Sequence, residues 1–150
     1  MNRIEILSER VQTYLAEMGL SPEVPEDGLY LFKYGTTVVM ISLFEDDADL
    51  KNSFCRFASI LLKDFDVNSE LLHRILRLNT EVLFGSFLLF EDNTLSFSAT
   101  LLGDDLDFEE FRTTLNYVAK VSDDYDEELQ ILGGGKRAED VLREGGSLGD

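Results

Sequence analysis

Cysteine is nearly missing from this chain: with one thiol, Cys55, in 150 residues, no internal disulfide can form. A disulfide scaffold is excluded, and the neighbours Phe54 and Phe57 mark Cys55 as a core thiol in a reducing compartment, with the cytosol the expected home. Histidine is as scarce. A nucleophile–base pair would have to join Cys55, on an expected central strand, to the lone His73, on an expected helix. Cys–His catalysis is therefore not expected, and His73, at the edge of an apolar stripe, reads as an ordinary surface residue. Cations are few as well: 13 Lys and Arg stand against 30 Asp and Glu, a net charge of −17. Such a field repels phosphate backbones and anionic lipid headgroups, which excludes nucleic acid and membrane surfaces as expected partners. Nor is there a long apolar run. No stretch reaches membrane-spanning length, and Met1 to Glu9 mixes charge into every turn where a signal peptide needs an apolar core. Gly133-Gly134-Gly135-Lys136 lacks the spacing and the following Ser or Thr of a phosphate loop.

What the chain does have is a core. Eleven phenylalanines supply large buriable surface, so the acid coats a folded domain rather than marking disorder. Asn2 to Met18 repeats apolar residues at Ile4, Leu7, Val11, Tyr14, Leu15 and Met18, the rhythm of an amphipathic helix, and Gly19 is placed to end it. Ser21 to Gly28 holds both prolines and reads as an irregular connection. Strands are expected at Leu29 to Tyr34 and Thr37 to Phe44 around a Gly35-Thr36 hairpin, the second of them buried on both faces. After an acidic loop at Glu45 to Asp49, Ser53 to Leu62 gives a third strand interrupted by Arg56, which Lys63 to Asp66 closes.

Asn68 or Ser69 can cap a second helix running to about Glu81, with Leu71, Leu72, Ile75, Leu76 and Leu78 as its apolar stripe and Arg74 and Arg77 off it. Asn79, near its end, can bond to backbone and shape the exit into the next strand. Two more strands are expected, Phe84 to Phe90 and Thr94 to Leu102, around Glu91-Asp92-Asn93. Gly85 either admits a close neighbour or marks a bulge, and the bulge is the simpler reading. On the last strand Leu95, Phe97, Ala99 and Leu101 alternate with Thr94, Ser96, Ser98 and Thr100, the pattern of a sheet solvated on one face and free there for a partner. Asp107 and Glu110 form a capping box for a third helix with Phe108, Phe111, Leu115, Val118 and Ala119 inward. Its acidic end, Asp123, Asp124, Asp126, Glu127 and Glu128, opposes the helix dipole, so either the helix continues toward Leu129 or a basic partner meets those acids. The glycines from Gly133 on break the pattern: a domain over residues 1–132 and a flexible tail over 133–150 are expected, the domain staying folded without the tail.

Together these give an α+β domain with a five-stranded antiparallel sheet and three helices, in the order α-β-β-β-α-β-β-α. That order, with Leu72-His73-Arg74-Ile75-Leu76-Arg77-Leu78-Asn79, Phe84-Gly85-Ser86-Phe87, Leu101 to Asp107 and Asp124-Tyr125-Asp126-Glu127-Glu128-Leu129, resembles the YbjN family over nearly all of Asn2 to Leu132. YbjN-like proteins are similar in fold to type III secretion chaperones, small acidic dimers that hold extended segments of client protein. The resemblance implies that architecture and no catalytic residue or cofactor.

The expected function is a non-catalytic, chaperone-like or adaptor module that binds a protein or peptide client as a homodimer. The alternative is a regulator that senses a small ligand or divalent cation through its acidic clusters, Asp46, Asp47 and Asp49 or Asp123 to Glu128, although neither cluster fits an EF-hand and charge runs are usually solvated. A single layer of helices covers one sheet face; the first and third have the stripes for it, leaving the other face to the second helix or a second subunit. The candidate client and dimer contacts are Leu72, Ile75, Leu76, Phe84, Phe87, Leu88, Phe90, Ser96 and Ser98, with the dimer expected around Leu72 to Phe90.

Overall fold

The computed structural model describes residues 1–138 and 140. Helix α1 (Arg3–Glu17) starts where the Asn2 side chain accepts from the Glu5 amide and buries Leu7, Val11 and Leu15. Strands β1 (Glu23–Glu26), β2 (Leu29–Tyr34), β3 (Thr37–Asp46) and β4 (Asn52–Leu62) follow. Then come α2 (Ser69–Leu78), β5 (Ser86–Leu89), β6 (Leu95–Leu102) and α3 (Phe108–Gly133). The capping box opens α3 as expected: the Glu110 amide donates to Asp107 at 2.7 Å and the Asp107 amide to Glu110 at 3.3 Å.

The sheet is antiparallel throughout, in the order β1-β2-β3-β4-β6-β5, so it has six strands and not the expected five. The added strand is β1, from the segment expected to be irregular because of its prolines. An edge strand tolerates Pro25, since a missing N–H on the outer side breaks no ladder. Other boundaries move too, and β3 runs on to Asp46 rather than ending at Phe44. The second helix stops at Leu78 rather than Glu81, and the fifth strand starts at Ser86 rather than Phe84.

Alternation along the strands sorts side chains onto two faces. Tyr30, Phe32, Val39, Ile41, Cys55, Phe57 and Phe97 enter one core with Leu7, Val11 and Leu15 of α1 and with Phe111, Leu115 and Val118 of α3. Ser59 of β4 joins that face through a hydrogen bond to Ser122, a polar contact sealed between sheet and α3. Helix α2 does not cover the opposite face. Its Leu71, Ile75 and Leu78 belong to the same core, where it leans on α3 and β5, and Arg74 binds Glu128 with both of its arms. All three helices thus lie to one side, and the second face of the sheet has no helical cover among the described residues.

The segment expected as a flexible tail from Gly133 is fixed where it begins. Gly133 ends α3, Lys63 and Lys136 exchange two backbone hydrogen bonds at 2.8 and 2.7 Å, and Ala138 is buried. Gly135 has φ +78°, and a Cβ there would stand 2.5 Å from the Lys63 carbonyl oxygen, so only glycine lets the two chains close up. Most of the remaining tail lies outside the described residues.

Candidate functional site

The nine candidate contact residues separate into three groups. Ile75 and Phe87 are core residues. Leu72, Leu76 and Phe84 are exposed, at 37, 68 and 38 %, and Leu83 and Leu89, within the expected Leu72 to Phe90 region, join them. Leu72 and Leu76 are one helical turn apart, outside the buried Leu71–Ile75–Leu78 stripe, and make an outward apolar ridge on α2. Glu70, His73 and Arg77 border it.

The third group, Leu88, Phe90, Ser96 and Ser98, is tied to the sheet face without helices. Expectation and structure differ here: Thr94, Ser96 and Ser98 are buried and only Thr100 of that series is exposed. The reason is curvature. Pro25 near one edge of the sheet and Phe90, Asp92 and Thr94 near the other line one hollow of about 240 Å³, floored by Leu31, Ala58 and Ser96 and walled by Leu29, Met40 and Ile60. Cross-strand pairing aligns Leu31, Met40, Ala58 and Ser98 in one row and Ile60, Ser96 and Leu88 in the next. The alternation of Leu29, Leu31, Met40, Ala58 and Ile60 already carried this second apolar face in the sequence. The curl that makes it concave is tertiary, and alternation does not encode it.

Sheet edges are the other places where a chain could add. On β5, Phe87 turns its backbone outward, and the Asn79 side chain answers it as a neighbouring strand would. The Phe87 amide donates to Asn79 Oδ1 at 2.6 Å, and Asn79 Nδ2 donates to the Phe87 carbonyl at 3.3 Å. The role expected of Asn79 is thus observed, and it closes this edge at its centre. Gly85 just before it is a close approach rather than a bulge: φ is +81°, and a Cβ would meet the Ser98 carbonyl oxygen at 2.6 Å and the Phe97 ring at 2.9 Å. The β1 edge carries only exposed residues, and a groove of about 640 Å³ runs between it and α1, lined by Ile4, Ser8, Gln12, Val24 and Tyr30 among others.

Cys55 is wholly buried on β4, where desolvation pushes its thiol far up, and His73 is exposed on α2. Asp46 turns both carboxylate oxygens onto its own loop, accepting from the amides of Ala48, Asp49 and Leu50. Those bonds, from Leu50 first, hold its carboxyl below the usual range. The acids of α3 point to separate partners: Asp123 to Thr36, Asp124 to Lys120, Asp126 to Arg137 and Glu128 to Arg74. Of the two expected resolutions of the dipole conflict, the structure gives the first: the helix continues past Leu129 to Gly133, and Lys120, Arg137 and Arg74 of the chain itself meet three of its acids. Among the described residues no group of three or more His, Cys, Asp or Glu converges to hold a metal ion, and no helix is long and apolar enough to cross a membrane.

The arrangement is one of three helices on one face of a curled antiparallel sheet, with exposed leucines on α2 and around β5. Residues 5–141 match the family described as T3SS (YopN, CesT) and YbjN peptide-binding chaperone 1, and the chain belongs to that family. No curated protein sequence matches the chain. Solved structures share its fold. A chain of the ExsC–ExsE complex superposes with a TM-score of 0.68 at 14 % identity, over 86 % of this chain and 97 % of that one. The HopA1–SchA chaperone–effector complex gives 0.62 at 12 %, over 85 % and 98 %. The Yersinia pestis type III secretion chaperone SycH, in complex with a stable fragment of YscM2, gives 0.57 at 16 %, over 79 % and 98 %.

Proposed function

We propose that this protein is a non-catalytic chaperone or adaptor of the cytosol that holds an extended segment of a client protein and works as a homodimer. The observation that carries the reading is the match, over residues 5–141, to a family described as peptide-binding. Exposed apolar side chains in an otherwise acidic surface support it, because such residues mark contact sites when they cluster. The similar structures are of chaperones with an effector or a protein fragment, and the same use is proposed for this fold. The test is size-exclusion chromatography of the protein with a permanently unfolded probe, a reduced and carboxymethylated protein. Co-elution at micromolar concentration is expected; a probe that elutes unchanged at every ratio overturns the reading.

The proposed dimer uses the exposed group around Leu72 to Phe90. A two-fold contact along α2 would set Leu72 against Leu76 of the other protomer and, at the ends, Glu70 against Arg77, so that one surface complements itself. Light scattering should give twice the monomer mass. Leu76→Glu would place two carboxylates in that contact and return the monomer, whereas Leu88→Glu, on the sheet face away from α2, should weaken the dimer only if the contact extends round β5 to that face. A wild type that remains monomeric at high micromolar concentration removes the dimer. A Leu76→Glu protein that is folded and dimeric moves the interface off α2.

A further inference from the structure

We infer that Asn79 guards the β5 edge of the sheet: it stands where the strand of a second copy would pair, and without it two copies join through β5 into one continuous sheet. Three observations lead to it. First, the segment at this edge is disposed to pair. Val82 to Phe90 reads Val-Leu-Phe-Gly-Ser-Phe-Leu-Leu-Phe, nine residues with no charge and no proline. A short apolar segment of that composition on a sheet edge is the signature of strand-to-strand association. The opposite edge, β1, is protected by the ordinary means, since Pro25 lacks a donor and Glu23 and Glu26 are exposed along it. Strand β5 has neither device.

Second, the groups that Asn79 occupies are those a partner strand would use. The Phe90 amide donates to the Thr94 carbonyl on the β6 side at 2.9 Å, so by alternation Phe87 and Leu89 turn their backbone outward. Opposed residues of an antiparallel pair can exchange two N–H···O bonds. The Asn79 carboxamide makes both with Phe87, at 2.6 and 3.3 Å, in place of the peptide groups of a neighbouring strand. Third, the approach to β5 is closed as well. The Leu83 amide donates to the Tyr117 hydroxyl at 2.7 Å, and the Phe84 ring packs on Tyr117 with centroids 4.5 Å apart. Gly85 then takes the chain against Ser98 and Phe97, which leaves β5 four residues long, and of these only Leu89 keeps an outward backbone without Asn79 on it. A second copy is the partner the unguarded edge would fit, because that edge complements itself. About a two-fold axis two β5 strands run antiparallel with Phe87 opposite Phe87, and the carboxylates Glu81 and Glu91 lie outside the segment. The outer edges of the joined sheet would be the two protected β1 strands, so association stops at a pair.

The test is hydrogen exchange of the Phe87 amide, with light scattering alongside, on the full chain from low to high micromolar concentration at physiological salt. In the wild type this amide should be protected to the same degree throughout. In Asn79→Ala it should exchange freely when dilute and slow about tenfold or more as the pair forms, while the mass rises above that of the wild type. Leu89→Lys added to Asn79→Ala charges the edge at a half-exposed position and should return the wild-type mass, with Phe87 open at every concentration. Val11→Ala, a core cavity on α1, should melt lower yet keep the wild-type mass and a protected Phe87, which separates guarding from stability. Should Asn79→Ala fail to fold, Asn79→Ser, whose side chain is too short to reach both groups, is read in the same way. Phe87 exchange that does not change with concentration in the folded variant overturns the proposal and leaves Asn79 a structural link alone. Association that persists with Leu89→Lys, or that Val11→Ala also shows, overturns it too, because loss of stability would then drive it. A wild type whose Phe87 amide itself slows with concentration would show an edge that pairs despite Asn79, against the proposal.

Discussion

At the scale of single residues, the chain's least conspicuous polar groups hold its most specific contacts. Asn79 was legible as a backbone partner because it follows a helical stripe and precedes a strand. That it would bind both polar groups of Phe87 follows from where β5 starts, and Gly85 sets that start by letting the chain pass against Phe97. Asn79→Ala strips two hydrogen bonds from a backbone beside the core and should cost about 1–3 kcal/mol in urea unfolding. An unchanged midpoint would mean that water replaces the side chain fully. Asp104 is the corresponding group at the other end of the sheet. Its carboxylate accepts from the Ser53 hydroxyl at 2.7 Å, the Ser53 amide at 3.0 Å and Arg3 at 3.1 Å. The Ser53 hydroxyl most of all holds its carboxyl below the usual range. With the folded value below the unfolded one, the stabilisation is complete above the unfolded value, near pH 4, and is lost as pH falls through the folded one. Wild type should therefore melt above Asp104→Asn at neutral pH, and the gap should close on acidification below about pH 4. A gap independent of pH would assign the effect to shape rather than charge.

Elements were legible where local chemistry names them, and illegible where long-range geometry does. The caps and stripes of α1, α2 and α3 are written in adjacent residues: Asn2, Asn68 and Asp107 each accept from the amide three positions on. Strand β1 was hidden because Pro25 argues against any strand but an edge one, and edge position is a property of the whole sheet. The polar side of β6 was misjudged for a similar reason. Alternation tells which residues share a face, but only the curl of six strands tells that Ser96 and Ser98 are buried on it. The end of α3 is the third case. Three glycines suggested a free tail, whereas Gly133 and Gly135 are small because Leu71, Phe65 and the Lys63 backbone stand against them. Removing everything after Leu132 would strip Lys63 of its two bonds to Lys136, Asp66 of its bond to the Gly133 carbonyl, and the core edge of Ala138. The truncated chain should melt several degrees lower, since about 1 kcal/mol moves the midpoint by roughly 2–8 °C at this size. An unchanged melting temperature would show that these contacts add nothing to the fold.

For the molecule as a whole the dominant quantity is the net charge of −17, fully legible in the sequence and opposed to both compactness and self-association. Two effects of salt compete. Screening weakens the attractive pairs, Arg3–Asp47, Arg74–Glu128, Arg112–Glu109 and Lys120–Asp124 among them, and it weakens the mutual repulsion of the excess carboxylates. The pairs sit at the surface, where each is worth about 0–1 kcal/mol, and they act over a few ångströms, so screening removes only part of each. The repulsion acts over longer distances. At 0.01 M salt the Debye length is about 30 Å, comparable to the width of the domain, and every carboxylate feels the others; at 0.15 M it is about 8 Å, and most of that repulsion is gone. Repulsion should win. The melting temperature is expected to rise by several degrees between those salt concentrations, with most of the gain complete before 0.2 M. The proposed dimer brings two such charges together, so its association constant should rise over the same interval. Thermal melts and light scattering across one salt series read both quantities. A melting temperature that falls with salt would show that the surface pairs outweigh the repulsion. Dimer affinity that falls with salt would mean that pairs such as Glu70 with Arg77 of the other protomer, rather than Leu72 and Leu76, carry the contact.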